Sequence, residues 1–252
     1  MKAPLRGYYI YWAGFLPLYT LAFPAFCSAQ FTRTQTSVVQ VVYFNDFNAN
    51  PGTIFPEWSS PGYTYWGDSI TGRGTQPVTN VSSPNLVQRF LGEFGGPALV
   101  QPGNKANIRV EDTVRLSLDS LPPHKSLTIE FDLYILKSWD GNSPLYGPDR
   151  FALSVEGGPV LIDKTFSNNP KTDSDGSLQD FPSPGCAPQL GAYEVGTLGY
   201  NSFFKDSMYH LKFTFAHTAD SVRLNFSSSL FEGKGTDDES WGLDNVRVTS
   251  IN

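Results

Sequence analysis

The chain has 252 residues, 40% of them hydrophobic and 17% charged, with a formal net charge of −6. That length can bury a sizeable core. An acidic balance without basic clusters excludes nucleic acid and anionic membrane as natural partners.

Residues 1–29 differ from the rest. Lys2 and Arg6 give a short basic start, Tyr8 to Phe26 is almost wholly apolar or aromatic, and Ser28 and Ala29 are small. This is the layout of a secretory signal peptide cleaved after Ala29. The rival is an uncleaved membrane anchor, since the apolar run is nearly long enough to span a bilayer, but Pro17 and Pro24 interrupt it. The expected organisation is a signal peptide over 1–29, a flexible lead over 30–37 and a single β-sandwich domain over 38–252. The protein is then secreted or held at the cell surface, with no membrane contact after cleavage. Loss of the leader takes Cys27 and brings the net charge to about −8. The remaining Cys186 excludes an internal disulfide framework and zinc-ribbon spacing.

Val38 to Phe47 is the first expected strand, ending in Tyr43-Phe44-Asn45-Asp46-Phe47. From Asn48 to Pro84 the chain is loop-like, rich in Pro, Gly, Ser and Thr, with Trp58, Tyr63, Tyr65 and Trp66 crowded together. Short strands are expected around Gly95-Gly96, and Val114, Leu116 and Leu118 alternate in the next strand. In Leu127 to Ile135 the large apolar residues fall at every second position, which marks a strand with one face in a core. An acidic, turn-rich loop follows, from Ser138 to Arg150. Phe151–Val155 and Val160–Phe166 make a hairpin about Gly157-Gly158.

After a second long irregular region, His210–Phe215 and Ser221–Ser227 read as another pair turning at His217 to Asp220. The last strand, Trp241 to Ile251, changes parity at Asp244-Asn245, which predicts a bulge or bend. Many strands separated by turn signals, with no long amphipathic helix, imply an all-β antiparallel sandwich.

Tyr43-Phe44-Asn45-Asp46-Phe47 near the start, with Glu239-Ser240-Trp241-Gly242-Leu243-Asp244-Asn245-Val246 at the end, resembles the jelly-roll carbohydrate-binding modules and their galactose-binding-like and concanavalin-like relatives. The resemblance implies an antiparallel jelly-roll β-sandwich with first and last strands side by side. It also implies a structural calcium where those strands meet, at Asp46 and Asp244. The loop Ser138-Trp139-Asp140-Gly141-Asn142 is also similar to one in secreted microbial β-sandwich domains.

Four functional expectations follow. Asp140, Asn142 and Asp149 are hard-oxygen groups on a turning chain that suits Ca2+, and Asp46, Asp244 and Glu239 are candidate ligands near the termini. Trp58, Tyr63, Tyr65 and Trp66 could form an aromatic platform for an extracellular polysaccharide or other glycan, or could plug the sandwich end. Glu130 and Asp132 share one strand face and could serve as a glycosidase pair, although the further glutamate of laminarinase-like enzymes is replaced here by Tyr134, Ile135 and Leu136. A structural surface protein making protein contacts is the third alternative. The leading expectation is a non-catalytic, calcium-steadied glycan-binding module; nothing in the sequence speaks to oligomeric state.

Overall fold

The computed structural model describes residues 38–100, 106–171 and 177–252; the expected leader and flexible lead lie outside them. In chain order the strands are β1 (Val39–Asn45), β2 (Trp58–Gly67), β3 (Ile70–Gly74), β4 (Asn80–Ser82), β5 (Arg89–Phe94), β6 (Ile108–Leu118) and β7 (Ser126–Lys137). They continue as β8 (Arg150–Val155), β9 (Val160–Thr165), β10 (Glu194–Val195), β11 (Ser207–Ala216), β12 (Val222–Leu230) and β13 (Glu239–Ile251). A 3₁₀ turn at Gly235–Asp237 precedes β13.

One sheet runs β10–β11–β7–β13–β5–β4, with β1 also pairing β13, and the other runs β3–β2–β6–β12–β8–β9. Every pairing is antiparallel. The fold is an all-β, antiparallel jelly-roll sandwich.

The period of two in β7 places Leu127, Ile129, Phe131, Leu133 and Ile135 in the core between the sheets, where they join Val114, Leu116, Leu224 and Phe226. Phe131 meets Phe226 edge-on across that gap, with ring centroids 5.3 Å apart. The change of parity in β13 is a bulge: the register shifts between Asp244 and Arg247, and Asn245 takes φ of 50°. Because of it, Trp241 and Leu243 before the bulge and Val246 and Val248 after it all enter the same core.

Three features differ from the sequence reading. The stretch taken for loop between Asn48 and Pro84 contains a hairpin, β2–β3, turning at Asp68-Ser69. Tyr65 and Tyr63 sit opposite Gly72 and Gly74, and a Cβ at either glycine would strike the tyrosine ring within 2.5 Å. The bare glycine backbone is therefore covered by aromatic rings, so a glycine-rich stretch holds as a strand.

Strands β11 and β12 do not pair with each other: β11 pairs β7, and β12 pairs β6 and β8. Their apolar rows, Leu211 and Phe215 on one and Val222, Leu224 and Phe226 on the other, face each other through the core. The turn between them is an arch from sheet to sheet. The third difference lies on the outer face of the β7 sheet, where Phe90, Tyr134, Leu136, Leu198 and Met208 form a second buried cluster. β7 is therefore buried on both faces at its end, which explains the unbroken apolar run from Leu133 to Leu136.

Candidate functional site

At one rim of the sandwich the loop following β7 meets the segment joining β12 to β13. The loop is held by backbone bonds: the Asn142 N–H donates to Leu178 O at 2.7 Å, and the Asp149 N–H donates to Gly141 O at 2.9 Å. Gly141 has φ of 58°, and a Cβ there would lie 2.3 Å from Leu178 O, so only glycine fits. Trp139 is fully buried and donates its Nε1 proton to Ser240 O at 2.9 Å, pinning the loop to the start of β13. This packing sets four carboxyl groups together.

Asp140, Asp149, Glu232 and Glu239 are each at most 5% exposed. One oxygen from each of Asp140, Glu232 and Glu239 lies within 4.8 Å of the other two. Asp149 is occupied differently: its Oδ2 accepts the Asp140 N–H at 2.6 Å, and its Oδ1 accepts the Phe231 N–H at 3.3 Å. Asn169 Nδ2 donates to Asp140 Oδ1 at 2.5 Å. Lys234 Nζ lies 3.0 Å from Glu232 Oε2 and 3.2 Å from Asp238 Oδ2. Glu232 Oε1 and Glu239 Oε1 are buried and, among the described residues, accept no hydrogen bond.

Burial, and next the charges of Asp149, Asp238, Asp140 and Glu232, push the Glu239 carboxyl well above the usual range. Burial also drives Asp149 up, helped by the Asp140 charge. Glu232 rises through burial, with Lys234 opposing.

Asp140 and Glu232 of the cluster line the inner wall of an open pocket of about 390 Å³, inside the range of small-ligand sites. Tyr146, Asn169, Lys171, Phe203 and Asp238 are among its other lining residues. Phe203 is 49% exposed, and Lys171 Nζ stands 5.6 Å from the centre of its ring. Asn201 Oδ1 accepts the N–H groups of Phe203 and Phe204 at 2.7 and 3.0 Å, which fixes the turn that presents them. Phe204 meets Phe203 edge-on at 4.8 Å.

The structure thus gathers Asp140, Asp149 and Glu239 from the residues singled out in the sequence. Asn142 points elsewhere: its Nδ2 donates to Asp180 and its Oδ1 accepts from Thr165 Oγ1. Asp46 accepts the Asn48 N–H in its own turn, while Asp244 accepts from Gln88 and Tyr134 on the outer face of the β7 sheet. Those two are therefore not part of the cluster. Glu232 and Phe203 were missed. The only signal for Glu232 was an acid followed by glycine just past an alternating strand.

The four aromatics do not form one platform. Trp58 is 4% exposed, sits in the core against Phe47 and Phe226, and donates its Nε1 proton to Tyr43 Oη at 2.7 Å. Tyr63 and Tyr65 lie over the glycines of β3, and Trp66, 39% exposed, has the opposite parity on β2. Four aromatics close in sequence along a strand are dealt to both faces.

Glu130 and Asp132 do share a face. His210 on β11 bridges them, Nδ1 lying 2.7 Å from Asp132 Oδ1 and Nε2 lying 3.0 Å from Glu130 Oε1. Lys212 adds an ion pair to Glu130 at 3.2 Å, and Asn245 Nδ2 donates to Asp132 Oδ2 at 2.8 Å.

No family model and no curated protein matches the chain. Solved structures similar to it include a carbohydrate-binding module described for specific mannan recognition, at 15% identity and TM-score 0.42, covering 84% of this chain and 98% of that one. The basic winged bean lectin with Tn-antigen is similar at 12% identity and TM-score 0.31, over 86% of this chain and 98% of the lectin. An exo-β-1,3-galactanase from Phanerochaete chrysosporium is similar at 13% identity and TM-score 0.28, over 75% of this chain and 29% of the enzyme.

Proposed function

We propose that this protein is an exported, non-catalytic sandwich that captures an extracellular polysaccharide in the pocket between Tyr146, Asn169 and Phe203. The observation that carries this reading is the half-exposed Phe203 ring set in a polar-walled pocket of about 390 Å³. A sugar ring has an apolar face that stacks on a flat aromatic surface and hydroxyls that need fixed polar partners. Asn169, Lys171 and Asp238 are polar groups of both hydrogen-bonding senses around that ring.

A non-catalytic role is supported by the state of Glu130 and Asp132. Both are held by one histidine, and neither lines this pocket. The test is affinity electrophoresis through gels containing soluble plant and microbial polysaccharides. At least one polysaccharide retards the wild-type chain, and Phe203→Ala abolishes that retardation while Trp66→Ala keeps it. Equal mobility of the wild type and Phe203→Ala in every gel would remove the reading.

A further inference from the structure

The inner wall of this pocket is chemically incomplete. Three buried carboxylates converge at Asp140, Glu232 and Glu239, and Lys234 is the one cation paired with Glu232 among the described residues. Glu232 Oε1 and Glu239 Oε1 accept no hydrogen bond among the described residues although both side chains are almost wholly buried. A buried carboxylate oxygen without a donor is costly, and like charges packed around it raise the cost. Asp149 does not supply the missing donor: its oxygens accept the Asp140 and Phe231 N–H groups, and its hydrogen bond with the Glu239 side chain still leaves Glu239 Oε1 unpaired. A positive ion bound among the three groups would relieve it.

We propose that Asp140, Glu232 and Glu239 hold one calcium ion at the pocket floor, and that its outward coordination positions take a pair of neighbouring hydroxyls from the bound glycan. The choice of ion follows from the donors: all are hard oxygens, with no His or Cys in the cluster. Calcium takes six to eight oxygens and accepts irregular arrangements, whereas magnesium demands near-octahedral geometry and keeps its waters. Three carboxylates leave positions unfilled, and Asp140 and Glu232 themselves line the pocket, so those positions open toward it. Vicinal sugar hydroxyls supply two neutral oxygens at adjacent positions. This second half rests on the glycan-binding reading; the ion site does not.

The test uses the purified chain, stripped with chelator and dialysed. Isothermal titration with calcium chloride gives one ion per chain, and magnesium chloride binds at least tenfold more weakly. Glu239→Gln and Glu232→Gln, each the size of the residue it replaces, weaken calcium at least tenfold while keeping the β-sheet circular dichroism of the wild type. In the gel assay, polysaccharide retardation disappears in chelator and returns with calcium.

Absence of calcium binding, or equal affinity in both variants and wild type, overturns the site. Calcium binding with retardation that persists in chelator overturns coordination to the sugar. Calcium binding weakened by the variants, with no polysaccharide retarded under any condition, supports the ion site and overturns the glycan reading.

Discussion

The Asp140 backbone N–H donates to Asp149 Oδ2 at 2.6 Å, closing the acidic loop on itself across nine positions. Asp149 Oδ1 also accepts the Phe231 N–H, so one buried side chain ties the loop after β7 to the end of β12. Truncation strands two buried donors, each costing about 1–3 kcal/mol. Asp149→Ala therefore loses several kcal/mol in urea unfolding, and Asp149→Asn, which keeps an accepting oxygen, loses less. A variant as stable as wild type would show that Asp149 is not the strut described.

Trp58 and Trp66 separate core from surface within one strand. Trp58 packs against Phe47 and Phe226 and is hydrogen-bonded to Tyr43. Its replacement by alanine removes about 3–5 kcal/mol of stability through lost burial and a cavity. Trp66→Ala costs about 1 kcal/mol or less, because its ring already meets water. Chemical denaturation of the two variants checks this, and equal losses would contradict the assigned faces.

How much of this was legible in the sequence depends on the range of the signal. The alternation in β7 and the parity change at Asp244-Asn245 are local and appear where the sequence placed them. Pairing is not local. Leu211 and Phe215 alternate as Val222, Leu224 and Phe226 do, but alternation cannot say whether two apolar rows lie in one sheet or face each other across two. The site lies between these cases. Asp140 and Asp149 announce themselves by turn chemistry within one loop, and Glu239 by its place in the acidic run before β13. Glu232 joins them only because β12 and β13 belong to different sheets and the chain must cross the rim between them. Phe203 sits in a long irregular stretch where no periodicity distinguishes a presented ring from a buried one.

Asp112 gives a pH signature away from the pocket. It is fully buried on β6, its Oδ2 accepts the Gly95 N–H at 3.1 Å, and its Oδ1 accepts no hydrogen bond among the described residues. Burial pushes its carboxyl up to about 6 against the nearby backbone N–H groups of Gly95, Thr113 and Gly96, which favour the charged form. With the folded value above the unfolded one, the native state holds the proton longer, so stability falls as pH rises from about 4 to about 6. Asp112→Asn does not titrate. Its stability relative to wild type therefore rises by about 2 kcal/mol between pH 4 and 7. Denaturant midpoints for both proteins across that range measure it, and parallel curves would refute the shift.

His210 titrates in the opposite sense. Both ring nitrogens face carboxylate oxygens, so both must donate, and the cationic imidazole is the form the site holds. The hydrogen bond to Asp132 raises its pKa most; burial opposes this, and Glu130 adds to the rise. A raised histidine contributes stability that is fully present below its ordinary value of about 6.5 and lost as pH climbs through the folded value. Nuclear magnetic resonance of the ring protons then gives a midpoint above 6.5 for His210, and Asp132→Asn returns it toward 6.5. His217, half-buried and stacked on His124, moves the other way: its partial burial, and next the His124 charge, lower its pKa. A His210 midpoint at or below the ordinary value would mean that the bridge between β7 and β11 is not charged, and Glu130 and Asp132 would then be free to act on something else.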